Sequence, residues 1–341
     1  MDWQFLGSPW AVRMLQAHIQ QARVHHAYLF TGPPGVGRRT LALRFAQALL
    51  CEQPPQPGTM CRQCRSCRHV EATLDTQESL HPDVLVVRPA ARAMGLQVDQ
   101  VREVRQFLTL SPQMSPYRVA VLVGFDRATP AAANALLKTL EEPSERGLLL
   151  LTAASSETVL PTVASRCEQV PLRPMDTAAL AQALARRFHL EEDRALQVAS
   201  WAAGRPGYAL RLAQDAEAYQ RHHRWVTDIP RLLAASRRER FAYAHTLVQT
   251  LPRHALDEPL MVWAAFWRDV LHVALDHPLP LFHPDQKRLL DFLALRVPLH
   301  QVYDLLHTLH RAMEQLRRYV TPRLLFEGVL LAWPRVRPML S

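Results

Sequence analysis

The chain has 341 residues, 48% of them hydrophobic and 21% charged, which is enough apolar material for two or three domains with separate cores. Its 40 Lys+Arg against 31 Asp+Glu leave a net charge of +9, favouring a polyanionic partner such as nucleic acid. The start MDWQFLGSPW has no basic run before an apolar stretch, and the most apolar helix candidate, Leu260–Leu275, carries Arg268 and Asp269, so neither a secretory signal nor a membrane span is expected and the cytoplasm is the expected location.

In chain order, Leu6–Arg23 reads as an amphipathic helix with Val12, Leu15 and Ile19 on one face, and His25–Phe30 as a first strand. The segment Gly32-Pro-Pro-Gly35-Val-Gly37-Arg38-Arg39-Thr40 follows, then a helix over Leu41–Leu50. A glycine-rich loop between a strand and a helix N-terminus is a phosphate cradle, because backbone N–H groups and the helix dipole face the anion. A working loop reads G-x-x-x-x-G-K-[ST], with lysine on the phosphates and a hydroxyl on magnesium. Here Gly32 and Gly37 are in place, but Arg38 and Arg39 fill the last two positions and Thr40 falls one residue late. A planar guanidinium does not replace a compact ammonium at a tight site, and Arg39 cannot ligate magnesium. The expectation is a degenerate nucleotide loop whose binding of ATP and Mg²⁺ is doubtful.

Cys51, Cys61, Cys64 and Cys67 fall within seventeen positions, interrupted by Pro54, Pro55, Pro57 and Gly58. In a cytosolic chain this spacing points to a structural Zn²⁺ held by four thiolates, since a filled tetrahedral set leaves no open position for catalysis. The fifth cysteine, Cys167, reads as a buried core thiol. His81-Pro82-Asp83 introduces a strand over Val84–Val87; a lone histidine before proline is an ordinary loop residue and receives no role.

Val98–Leu108 has helical spacing and Tyr117–Gly124 reads as a buried strand. Asp126 reads as a cap for the helix Ala131–Glu142, which Pro143 and Gly147 stop. Leu148–Leu151 suits a central parallel strand covered on both faces, ending at Thr152. Ser165-Arg166-Cys167 then leads into a last apolar strand through Val170, leaving Arg166 on the rim. Beyond Pro171 and Pro174 the chain is helical, over about 177–188, 191–203, 208–219, 237–251, 256–276, 284–295, 299–320 and 322–333, with Gly204-Arg205-Pro206-Gly207 as a break. Trp263, Trp267, Leu271 and Ala274 recur at helical spacing, a stripe suited to a core or a subunit interface.

The segments Asn134–Pro143 (NALLKTLEEP) and Ser165-Arg166-Cys167 together resemble the AAA+ subunits of bacterial DNA polymerase III clamp loaders. Only two of the 40 basic residues are lysine, Lys138 and Lys287, and Lys138 lies inside that motif. The resemblance implies an α/β AAA+ P-loop domain over 1–171 with the cysteine module at 51–67, a small helical lid over 172–220 and an all-α C-terminal collar over 221–341. It implies that Arg166 is a finger reaching a neighbouring subunit's ATP, where a fixed guanidinium stabilises transition-state charge. In the family's ATPase pattern the strand ending near Gly124 supplies Asp-Glu, yet those positions are Val123 and Gly124 here. A nucleotide-sensing arginine is replaced by Gly207.

Loss of these groups with retention of the finger is the pattern of a ring subunit that does not hydrolyse ATP. The implied partners are the gamma/tau motor subunits, a delta subunit, the sliding clamp and primed DNA, with no membrane, in the cytoplasm at the nucleoid. Two other readings stay open: a motor ATPase of the same family, working through Arg38 and Thr40, and a zinc-containing nucleic-acid binding module built on Cys51–Cys67.

Overall fold

A computed structural model describes residues 3–76, 78–89, 95–316 and 320–336. The chain divides into two compact units, Met1–Met175 with Arg205–Gly207, and Asp176–Gly204 with Tyr208–Ser341.

The first unit is built on five parallel strands, β1 (Ala27–Thr31), β2 (Val84–Val87), β3 (Arg118–Leu122), β4 (Gly147–Ala153) and β5 (Glu168–Pro171), in the order β2-β3-β4-β1-β5. Its helices are α1 (Pro9–Gln20), α2 (Arg38–Leu49), α3 (Arg65–Thr76), α4 (Val98–Thr109), α5 (Pro130–Glu141) and the short α6 (Pro161–Ala164). The leucines of β4 show why the sheet is central. Leu148 and Leu150 join the core beneath α1 and α2, whereas Leu149 and Leu151 join the one beneath α4 and α5. Successive strand side chains point to opposite faces, so an unbroken apolar run is what a doubly covered sheet requires.

Several boundaries differ from expectation. α2 starts at Arg38, three residues before the expected Leu41, because Gly37 takes φ +99° as its N-cap and frees the polar residues after it to be helical. Asp126 does not cap α5. It lies in a single 3₁₀ turn, Phe125–Arg127, and the Thr129 hydroxyl caps the helix by accepting the Ala132 N–H at 3.2 Å. β4 runs on through Thr152 to Ala153.

The second unit is all-helical: α7 (Thr177–Phe188), α8 (Glu192–Trp201), α9 (Pro206–Gln214), α10 (Ala216–Thr227), α11 (Ile229–Ala234), α12 (Arg237–Thr250), α13 (Asp257–Ala274), α14 (Lys287–Arg296), α15 (Leu299–Leu316) and α16 (Pro322–Leu331). The expected helix over 208–219 is two helices. The Asp215 carboxylate accepts the N–H groups of Glu217 and Ala218 and so starts a new one. Of the expected helix over 299–320, residues 317–319 lie outside the described ones.

Of the expected α13 stripe, Trp263 and Trp267 are fully buried with Phe266 and Phe326 in the core of this unit, whereas Leu271 and Ala274 are only half-buried. Buried Arg240 donates all five guanidinium N–H groups to carbonyls of Leu232, Leu233, Leu330, Trp333 and Pro334, fastening the ends of α11 and α16 together. No helix among the described residues is long and apolar enough to cross a membrane.

Candidate functional site

The glycine-rich loop sits where the sequence places it, between β1 and the N-terminus of α2. Gly32, Gly35 and Gly37 all have positive φ, at +140°, +84° and +99°. Two of its glycines are closely approached by their own unit, although Gly35 is exposed. A Cβ on Gly32 would lie 2.4 Å from the Leu172 carbonyl oxygen, and one on Gly37 would lie 2.7 Å from the Phe5 ring. Val36, at the tip, is buried. The Gly35 carbonyl accepts the backbone N–H of Gly207 at 2.7 Å, and a Cβ at 207 would come within 2.9 Å of that oxygen.

Arg38, Arg39 and Thr40 form the half-buried first turn of α2. Arg39 turns away from the loop. Its Nη2 donates to the Thr73 carbonyl at 2.7 Å and its Nη1 to the Leu74 carbonyl at 3.4 Å, closing the last turn of α3. Burial, with the Arg88 charge, lowers its pKa to about 10, which leaves it charged at neutral pH. At the end of β3, Val123 and Gly124 offer no carboxylate, and the Gly124 N–H is taken by the Thr152 hydroxyl at 2.9 Å.

The four cysteines converge. One sulfur from each of Cys51, Cys61, Cys64 and Cys67 lies within 4.8 Å of the others, and the Cys61 and Cys67 sulfurs are 3.9 Å apart. Four thiolates about 2.3 Å from a tetrahedral ion stand about 3.8 Å from one another, so the set fits a metal. Backbone N–H groups of Cys61, Cys64 and Cys67 point at the sulfurs of Cys51, Cys61 and Cys64 at 3.3–3.4 Å, the donor pattern that favours thiolates. Burial opposes it, but N–H donation from Cys64 and Gln63 brings the Cys61 thiol down to about 6. Cys167 is apart from this group and buried, with its pKa pushed up to about 12.

Arg166 follows α6 and stands on the rim beside the C-terminus of α5. Its Nη1 donates to the Thr162 carbonyl and its Nη2 to Glu141 Oε1, each at 2.9 Å, and 38% of the side chain is exposed. Lys138 is also exposed, on α5.

Two family models cover most of the chain. One described as DNA polymerase III, delta subunit, matches residues 7–176, and one described as DNA polymerase III, delta subunit, C terminal, matches 210–335. DNA polymerase III subunit delta′ of Pseudomonas aeruginosa is 35% identical over 214 residues, 62% of this chain and 63% of that one. The delta′ subunit of Escherichia coli is 36% identical over 200 residues, 59% and 58%. The chain belongs to the DNA polymerase III delta-prime family. The match spans about three-fifths of the length of these relatives. A tau subunit of DNA polymerase III, from Bacillus subtilis, is 30% identical over 219 residues, 63% of this chain and 37% of that one.

In this delta-prime family member, the residues that seat the cysteine module were not legible from spacing. Buried Arg44 on α2 pairs with Glu71 on α3, with Nη2 to Oε1 at 2.8 Å, and its hydrogen bond holds the Glu71 carboxyl below the usual carboxylate range. Fully buried Gln47, one turn on, donates to the Cys67 carbonyl at 2.9 Å. Glu52 accepts the Ser66 N–H and caps the start of α3.

His81, given no role from sequence, is 2% exposed. Its Nδ1 accepts the Asp83 N–H, so the ring proton lies on Nε2 and is donated to Ser66 Oγ at 2.9 Å. Burial holds its pKa near 4. The Asp83 carboxylate in turn accepts the N–H groups of Gln113, Met114 and Ser115. The signal was present as His81-Pro82-Asp83, a histidine and a carboxylate next to a fixed φ at the mouth of an apolar strand.

Proposed function

We propose that this chain is a non-hydrolysing ring subunit of a DNA polymerase III clamp loader, which supplies Arg166 in trans and helps load a sliding clamp on primed DNA. The observation that supports the reading is a rim-held Arg166 together with a glycine-rich loop that carries Arg38-Arg39 where a working phosphate loop has Lys-Ser/Thr. Arg39 is committed to the end of α3, the Gly35 carbonyl to Gly207, and Val123-Gly124 stand where acids would hold magnesium and direct water. Phosphoryl transfer depends on metal charge and a positioned nucleophile, and Val123 and Gly124 offer no carboxylate to either. Arg166 keeps the one contribution that works from outside a site, a planar charge offered to the γ-phosphoryl group bound by a neighbour.

On this reading the partners are gamma/tau-type motor subunits, a delta subunit, the clamp and primed DNA, in the cytoplasm at the nucleoid. The chain's sections 1–171, 172–220 and 221–341 serve as degenerate ATPase domain, lid and oligomerising collar. Cys51, Cys61, Cys64 and Cys67 hold a structural Zn²⁺, chosen because four thiolates with no open position are its usual set in a folded module.

The motor reading draws on the match to a tau subunit. ATP turnover separates the two. The purified, zinc-loaded chain is expected to show none, with or without primed DNA, and to restore DNA-stimulated turnover to a complex assembled from motor and delta subunits. Turnover by the chain alone, abolished by Arg38→Ala, would make it a motor.

A further inference from the structure

We propose that Glu141 is the positioning residue for Arg166, setting the guanidinium's direction before it meets a neighbour's phosphate. The proposal rests on the reading of Arg166 as a finger in trans.

The backbone around Arg166 is already fixed. Its N–H donates to the Val163 carbonyl, Cys167 is buried immediately after it, and Gln169 Nε2 donates to the Ala164 carbonyl at 2.7 Å. The side chain is long and exposed, so backbone order alone does not aim it. Aim comes from two acceptors on two different elements. The Thr162 carbonyl of α6 takes an N–H of Nη1, and the Glu141 carboxylate at the end of α5 takes one of Nη2. A single contact would let the planar group swing about it. Two contacts on separate nitrogens fix both plane and direction, and leave the other N–H groups of the fork for a ligand.

The place of Glu141 argues the same way. It is the last residue of α5, where the negative end of the helix dipole disfavours a carboxylate. Helix stability therefore does not account for it, whereas a guanidinium between the C-terminal ends of α5 and α6 does. Glu142, adjacent in sequence, makes no side-chain hydrogen bond or ion pair among the described residues, so only one of the two glutamates is engaged. The pair is also half exposed, at 38% for Arg166 and 52% for Glu141. Such a pair biases a rotamer without trapping it, so it yields or shares the cation when a more highly charged phosphoryl group arrives.

The test uses the assembled clamp-loader complex with the remaining motor sites disabled through their phosphate-loop lysines, reading kcat and KM for ATP at the site that Arg166 faces. Glu141→Ala is expected to lower kcat about 3- to 10-fold, the cost of re-ordering one arginine side chain, with KM little changed. Glu141→Gln keeps an acceptor and is expected to stay within about two-fold of the parent. Glu141→Asp does not span the same gap and is expected to fall with the alanine variant, which it replaces should that complex fail to assemble. In an Arg166→Ala background, Glu141→Ala is expected to add nothing, because contacting residues acting as one unit are non-additive.

A normal Glu141→Ala complex beside a slow Arg166→Ala complex would overturn the positioning role and leave the finger standing. A faster Glu141→Ala complex would make the contact a restraint and overturn the proposal. So would an equal loss in both backgrounds. An unaffected Arg166→Ala complex would remove the finger reading, and the proposal with it.

Discussion

The backbone N–H of Gly207 donates to the carbonyl oxygen of Gly35 at 2.7 Å, so the position expected to carry a nucleotide-sensing arginine lies directly on the glycine-rich loop. Only glycine allows this approach, because a Cβ at 207 would stand 2.9 Å from that oxygen. Gly207→Arg therefore does not restore a sensor. It is expected to destabilise the chain by about 1–2 kcal/mol through overpacking and to leave nucleotide affinity unchanged. Thermal melting and a fluorescent-nucleotide titration read both outcomes, and a gain in affinity would contradict this prediction.

Arg39 occupies the position where a working loop has its magnesium hydroxyl, and uses both terminal nitrogens on the carbonyls that end α3. Arg39→Ser, which puts the hydroxyl back, is expected to cost about 1–2 kcal/mol in stability by removing these charge-assisted bonds. It is expected to create no magnesium-dependent ATP binding, since no acid stands at Val123 or Gly124. Denaturant midpoints with and without Mg-ATP measure the two effects; stabilisation by Mg-ATP would count against this account.

His81 gives the fold a defined acid sensitivity. Burial lowers its folded pKa to about 4 from an ordinary 6.5, so below pH 6.5 the unfolded chain binds a proton that the folded chain excludes. Its contribution is complete above about pH 6.5 and is lost progressively as pH falls towards 4, about 3 kcal/mol in all. His81→Asn should flatten the stability profile across that window. An unchanged slope between pH 6.5 and 4 would show that His81 titrates normally.

Cys51 follows the end of α2, Cys61 and Cys64 lie in the loop after it and Cys67 is in α3, so on the proposed zinc reading one ion would join the two helices. Cys64→Ser is expected to lose one zinc per chain and on the order of 4 kcal/mol of stability, as loss of a structural metal usually does. A strong chelator is expected to lower the melting temperature of the parent and to leave that of Cys64→Ser unchanged. Zinc analysis of the purified chain gives the stoichiometry, and a parent protein without metal but of full stability would refute the assignment.

Much of this was legible in the chain. The β4 leucines announced a doubly covered strand, the glycines announced the loop, and cysteine spacing alone brought four sulfurs to one point. Polar residues whose work is internal were not legible. Asp215 sits in a continuous helical run without glycine or proline, so nothing but its own side-chain bonds to Glu217 and Ala218 marks the break. His81 looked like a loop residue because its partner, Ser66, is fifteen positions away on another element. Asp126 looked like a cap because aspartate is a good one, but Thr129 lies closer to the helix and took the role. Arg44, Gln47 and Glu71 are helix-surface residues by composition, and only the packing of α2 on α3 turns them into an inner clamp.

The measurement that bears most directly on the central claim is DNA-stimulated ATP hydrolysis by the assembled clamp-loader complex carrying Arg166→Ala in this chain. The account predicts a complex that assembles normally and hydrolyses ATP about 10³-fold more slowly at the site facing this subunit. Wild-type hydrolysis and clamp loading by that complex would contradict it.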